Sequence, residues 1–239
     1  MKWRLAGIVL AVPLIAACTG QAVPADEVDQ QEPAGERRES QQAPDALHAS
    51  AESGDAQAQF TLGILLLESG REESRAKGTQ WLAAAGEQGH ALALMTLGTL
   101  ALERGDEASA LTHLQNAAAT GDPDANYALG LVHFNGENVV PDAARAADLF
   151  KVAADAGHAA AQMRLAAAYW NGEGRARDPE QAFFWFLLAA PENRSAAEFL
   201  PSAESALDSA QREAVLKRVA GWKPKNHVPA WSSKRGKGH

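Results

Sequence analysis

The 239-residue chain has one cysteine and two tyrosines, and aromatic residues make up only 6% of it. A single thiol excludes an intramolecular disulfide framework and any cysteine-based zinc cluster. Few bulky rings and many alanines suit helices that approach one another closely. Catalytic signatures are missing as well: there is no G-x-S-x-G, no H-E-x-x-H and no phosphate-binding loop. Gly172-Glu173-Gly174 follows no predicted strand, so it is read as a turn. The acidic residues fall mostly at expected caps and turns. These absences predict a chain that is not an enzyme and needs no cofactor and no metal.

What is present is a frame that recurs four times. Gly54 leads Ala58, Leu62 and Gly63; Gly89 leads Ala93, Leu97 and Gly98; Gly121 leads Ala125, Leu129 and Gly130; Gly157 leads Ala161, Leu165 and Ala166. The leading glycines are separated by 35, 32 and 36 residues. A period of this size is the signature of a helical solenoid. Each repeat is read as helix A, a turn and helix B. Helix A opens directly after the leading glycine, at Asp55, His90, Asp122 or His158. Aspartate is a good N-cap, and the two histidines are expected to cap or face solvent rather than ligate metal. Offsets of four, eight and twelve place small and then large residues on one helical stripe, which packs helix A closely on its partner. The glycine after leucine costs about 1 kcal/mol of helix propensity, so it needs a packing reason. In helix B, Trp81, His113, Leu149 and Trp185 are equivalent, as are Leu82, Leu114, Phe150 and Phe186. Of the run Phe183-Phe184-Trp185-Phe186, at least one ring is expected under the C-terminal helices or exposed, since four successive residues do not share one helix face.

The ends are different. Lys2 and Arg4 precede an apolar stretch, Leu5 to Ala16, that is too short to span a membrane as a helix. It ends in Ile15-Ala16-Ala17-Cys18, which resembles a bacterial lipobox. That resemblance implies cleavage after Ala17 and lipidation of Cys18; several acyl chains anchor stably where one does not. Thr19, rather than aspartate, follows the cysteine, so the outer membrane of a Gram-negative cell, facing the periplasm, is the expected location. Residues 1–17 are then signal peptide. Residues 18–44, rich in Gln, Pro, Ala and Glu, are expected to form a disordered linker, either a plain spacer or a carrier of a binding motif. Asp45 to Ser53 is read as a half-repeat that caps the array.

The string A-x-x-x-L-G, an aromatic, G-x-G, D-P, A-x-x-W and A-A-x-x-G resembles the Sel-one-like repeat, a relative of the tetratricopeptide repeat. The match covers residues 45–190, and the third and fourth copies are the clearest. The resemblance implies an all-α fold, a right-handed α-solenoid of about four helix-turn-helix repeats, acting as an adaptor for protein partners. Residues 191–222 resemble the capping helices that close such arrays. An enzymatic alternative, β-lactam binding, belongs to cysteine-rich relatives, and no S-x-x-K is expected on a helix here. Residues 223–239 form a basic tail. It is either solvated or in contact with an anionic partner such as an acidic protein face or peptidoglycan. Nucleic acid is not expected for a chain of net charge −8.

Helix A carries a second apolar stripe: Phe60, Ile64 and Leu67; Met95 and Leu102; Tyr127, Leu131 and Phe134; Met163 and Trp170. In tetratricopeptide-like arrays these positions line the concave groove, which holds a peptide or helix through apolar anchors. Asn126, Asn135 and Asn171 are candidates for polar contacts at its rim. Two readings stay open at this level: a partner-binding groove, or core between repeats. The corresponding functional expectations are a scaffold tethered to the envelope that binds a protein partner in the groove, or a structural factor bridging membrane to peptidoglycan through the tail.

Overall fold

A computed structural model describes residues 45–136 and 139–225. The chain divides into units 1–46 and 47–239, and the second holds the repeats. The signal segment, Cys18, the linker and the tail beyond Lys225 lie outside the described residues.

The described secondary structure is helical. A short helix, α1, covers residues 45–52. It is followed by α2 (Ala56–Glu68), α3 (Glu72–Glu87), α4 (Ala91–Glu103), α5 (Glu107–Ala119), α6 (Pro123–Asn135) and α7 (Ala143–Asp155). Then come α8 (Ala159–Asn171), α9 (Pro179–Ala189), α10 (Arg194–Ser205) and α11 (Ser209–Gly221). Helices α2/α3, α4/α5, α6/α7 and α8/α9 pack as pairs, and each pair stacks on the next through α3 on α4, α5 on α6 and α7 on α8. Both α10 and α11 pack on α9. This is the expected α-solenoid of four helix pairs.

The junctions between pairs explain the leading glycine. At Gly157 the backbone takes φ 97°, a region that only glycine enters without strain. That turn lets the His158 N–H donate to Ala153 O at 3.1 Å, closing α7. The same histidine opens α8, its Nδ1 accepting from the Ala161 N–H at 3.1 Å. His90 does likewise, donating its N–H to Ala85 O and accepting from the Ala93 N–H. Asp55 and Asp122 cap α2 and α6 in the same way. A third bond locks three of the junctions. Buried Gln59, Asn126 and Gln162 donate their side-chain amides to Ala51 O, Ala118 O and Ala154 O, each eight residues back. These bonds tie helix A to the helix before it. The second repeat has Leu94 at this position instead.

Within pairs, the Leu-Gly signal marks close approach. A Cβ on Gly130 would stand 2.6 Å from Phe150 Cε1. The ring of helix B thus occupies the space that a side chain would need. In the second repeat the corresponding glycine, Gly98, has nothing nearer than Ala110 O at 3.4 Å. In the fourth repeat Ala166 fits outright.

All four aromatics of 183–186 are buried, so none takes the exposed alternative. Two lie under the C-terminal helices as expected: Phe186 stacks on Phe199 of α10 at 5.3 Å, and Arg218 of α11 lies 4.5 Å over Phe184. A capping box from Asp208 and Gln211 starts α11.

The expected tail boundary needs one correction. Residues 223–225 are not a free tail but run back along the junction of α7 and α8. Trp222 packs on the core, Pro224 Cβ lies 3.3 Å from where a Gly157 side chain would be, and Lys225 N–H donates to Asp155 O at 2.7 Å. The Lys225 ammonium also reaches Asp155 Oδ2 at 2.6 Å. Burial raises the Asp155 carboxyl pKa, but hydrogen bonds and charge from Lys151 and Lys225 outweigh it and hold the group below its ordinary value.

Candidate functional site

The second apolar stripe of helix A divides into an inner and an outer part. Met95 is 3% exposed, so a partner has no access to it, and contrary to expectation it is not a groove residue. Asn126 is also buried and spends its amide on Ala118 O and Asp122 O, so it is not at a rim. Phe60 and Ile64 are partly buried and pack on the cluster of Leu82, Ala93, Leu97 and Leu100, at the seam of the first two repeats. Tyr127, Leu131, Phe134, Met163 and Trp170 are partly buried against the large core of the last two repeats. The two readings are therefore not exclusive. Each of these side chains has one edge in the seam and one edge in solvent.

Two of the inner positions are used the same way. Phe60 stacks on His90 with centroids 4.6 Å apart, and Tyr127 stacks on His158 at 4.5 Å. In each case the aromatic of one helix A covers the N-cap histidine of the next. His90 is fully buried among such contacts, and its ring Nε2 lies 3.2 Å from Gln57 Oε1. Burial lowers its pKa from 6.5 to about 4, against smaller opposing effects of its backbone hydrogen bond and of Asp55. His158 Nε2 sits 3.3 Å from Asp124 Oδ1, a contact that holds the Asp124 carboxyl below its ordinary pKa. Both histidines are thus occupied by capping.

The outer positions, at the C-terminal ends of α6 and α8, are built differently. Phe134 and Trp170 occupy the same register, 36 residues apart. The Arg164 guanidinium lies 5.5 Å over the Phe134 ring, and that of Arg177 lies 5.6 Å over Trp170. Arg177 Nε also donates to Trp170 O at 3.2 Å. Asn135 and Asn171, the last residues of the two helices, are exposed beside them, each followed by a left-handed glycine. Sequence reasoning singled out the two rings but missed both arginines. The available signal was register: Arg164 stands where the other repeats have Thr61, Thr96 and Ala128, and Arg177 where the third has Pro141.

The expectation that no S-x-x-K lies on a helix fails. Ser74-Arg75-Ala76-Lys77 does fit S-x-x-K, and it lies on α3. Lys77 is exposed, so this pair lacks the desolvated amine that would serve as a base for the hydroxyl.

Comparison with known proteins agrees with this architecture. A family model for the Sel1 repeat matches residues 56–90, 123–158 and 159–190. The α4/α5 pair falls between the matched segments. Its turn is cut down to Arg104-Gly105-Asp106, although Asp106 still caps α5. The fold is similar to that of a protective antigen present in uropathogenic Escherichia coli strains and displaying an SLR fold. That match has a TM-score of 0.61 and 28% identity, over 81% of this chain and 43% of the other. It is also similar to a Sel1 repeat protein from Oxalobacter formigenes, with a TM-score of 0.61 and 33% identity, over 65% of this chain and 47% of the other. The chain thus spans less than half the length of either structure. No curated protein matches it.

Proposed function

From its three Sel1 repeats, a class of proteins that generally act as interaction scaffolds, we propose that this chain is a non-catalytic adaptor. It holds a protein partner against the helix A faces of its last two repeats, and a lipid on Cys18 tethers it to the outer membrane. The observation that carries this reading is the exposed edge of Phe134 and Trp170. An array built only for packing has no need to leave rings at the surface under arginines, and the first two repeats manage without them. Arg and aromatic side chains are also the residue types that dominate binding energy at protein interfaces. The tether rests on the lipobox-like Ile15-Ala16-Ala17-Cys18.

Two measurements test the two halves. A photoreactive phenylalanine analogue at position 134 crosslinks a defined protein in cells, whereas the same analogue at exposed Val152 on helix B does not. Equal adducts from both positions, or none from position 134, remove the groove. Cys18→Ala moves the protein from the membrane to the soluble fraction; unchanged membrane association removes the lipid anchor.

A further inference from the structure

Resting on that scaffold reading, we infer that the face formed by Phe134, Arg164, Trp170 and Arg177 takes an acidic peptide segment, one that presents carboxylates next to apolar side chains. Three observations point to this occupant. First, among the described residues neither Arg164 nor Arg177 meets a carboxylate. Arg175 in the same turn shows the contrast, since it pairs with Asp148 and stitches the turn to α7. Second, the guanidiniums are held in place before any ligand arrives. Each lies over a ring, and Arg177 is fixed further by its bond to Trp170 O, so the remaining N–H donors of each fork lose little freedom on binding a carboxylate. Third, the two arginines are not part of the repeat frame. Arginine at these registers is peculiar to the last repeat, so the solenoid itself does not require it.

The rings set the second half of the specificity. Phe134 and Trp170 each leave an apolar edge beside the guanidinium, so a carboxylate alone satisfies only part of the face. A segment with an acidic and an apolar side chain two residues apart fills both, since residues i and i+2 of an extended strand point to the same side.

The test is fluorescence anisotropy on the full-length chain in detergent. The probe is a labelled synthetic octapeptide of two Glu-Ser-Leu-Ser units, which puts glutamate and leucine on the same side of an extended strand, and its control replaces each glutamate by glutamine. The glutamate peptide is expected to bind at least tenfold more tightly than the control. Arg164→Gln with Arg177→Gln removes that preference, and Arg164→Lys with Arg177→Lys, which keeps charge but not the planar fork, retains part of it. Raising salt from about 0.05 to about 0.5 M, which shortens the screening length, weakens the glutamate peptide on the unaltered protein and leaves the control unchanged. This arm needs no variant to fold. Equal binding of both peptides that is lost in Phe134→Ala overturns the acidic preference while leaving the groove in place. Binding of neither peptide overturns the inference, and the crosslink from position 134 then decides the scaffold reading separately.

Discussion

Tyr127 lies on the ring of His158, centroids 4.5 Å apart, and so covers the residue that ends α7 and begins α8. Phe60 covers His90 in the same way. Where the next cap is Asp122 the corresponding side chain is Met95, which has no ring to stack. The stack and the cap are therefore one unit that joins neighbouring repeats. In a double-mutant cycle, Tyr127→Leu and His158→Asn are expected to couple by about 0.5–1.5 kcal/mol, the range for aromatic pairs. Asn keeps the cap, so the coupling reports the ring contact. Additive effects in urea unfolding would show that ring and cap act independently.

The buried histidine cap predicts an acid-labile component of stability. His90 has a folded pKa of about 4 against an ordinary 6.5. A histidine with a lowered folded pKa binds protons more readily unfolded, so its contribution is complete above about pH 6.5 and is lost progressively as pH falls toward 4. His133, also lowered by burial and by Arg145, acts in the same direction. The comparison is therefore between the chain and His90→Asn. Melting temperatures of the two should converge as pH falls from 6.5 to 4.5. A gap that stays constant would mean that His90 does not titrate in this way.

Two glycines in equivalent positions should respond with opposite sign. Gly130→Ala places a methyl 2.6 Å from the Phe150 ring, and overpacking of this kind costs about 1–3 kcal/mol. Gly98→Ala meets only ordinary contacts, the nearest at 3.4 Å, and gains up to about 1 kcal/mol of helix propensity. Chemical denaturation measures both. Equal destabilisation of the two would contradict the packing assigned to them.

Much of this architecture was legible because it repeats. The leading glycine, the N-caps at Asp55, His90, Asp122 and His158 and the Leu-Gly crossing are local devices, and each recurs at a countable offset. Comparing copies also located Phe134 and Trp170. What the pattern did not reveal was which edge of a half-apolar stripe faces inward, since Met95 and Tyr127 share a register yet differ in burial. The arginines over the rings escaped notice for a related reason. They come from the neighbouring helix and from a turn, so no single helical period links Arg164 to Phe134. The return of Trp222 and Lys225 to the α7–α8 junction escaped it too, being a contact over 70 residues with a part of the chain that has no repeat partner.

That return predicts a division of labour in the last described residues. Lys225 is largely exposed and Asp155 keeps Lys151, so Lys225→Ala should cost no more than about 1 kcal/mol. Trp222→Ala removes a partly buried ring from the core and should cost more, about 1.5–3 kcal/mol. Thermal melts rank the two; a larger effect from Lys225 would reverse the assignment.

The central claim is that the outer rings of the last two repeats serve a partner more than the fold. Phe134→Ser with Trp170→Ser tests it most directly, with circular dichroism and a melt on the purified protein and, in cells, crosslinking from an analogue placed at the neighbouring Leu131. The account predicts a helical protein whose melting temperature falls by several degrees but remains cooperative, with the Leu131 adduct gone. A folded variant that still gives the adduct would contradict it.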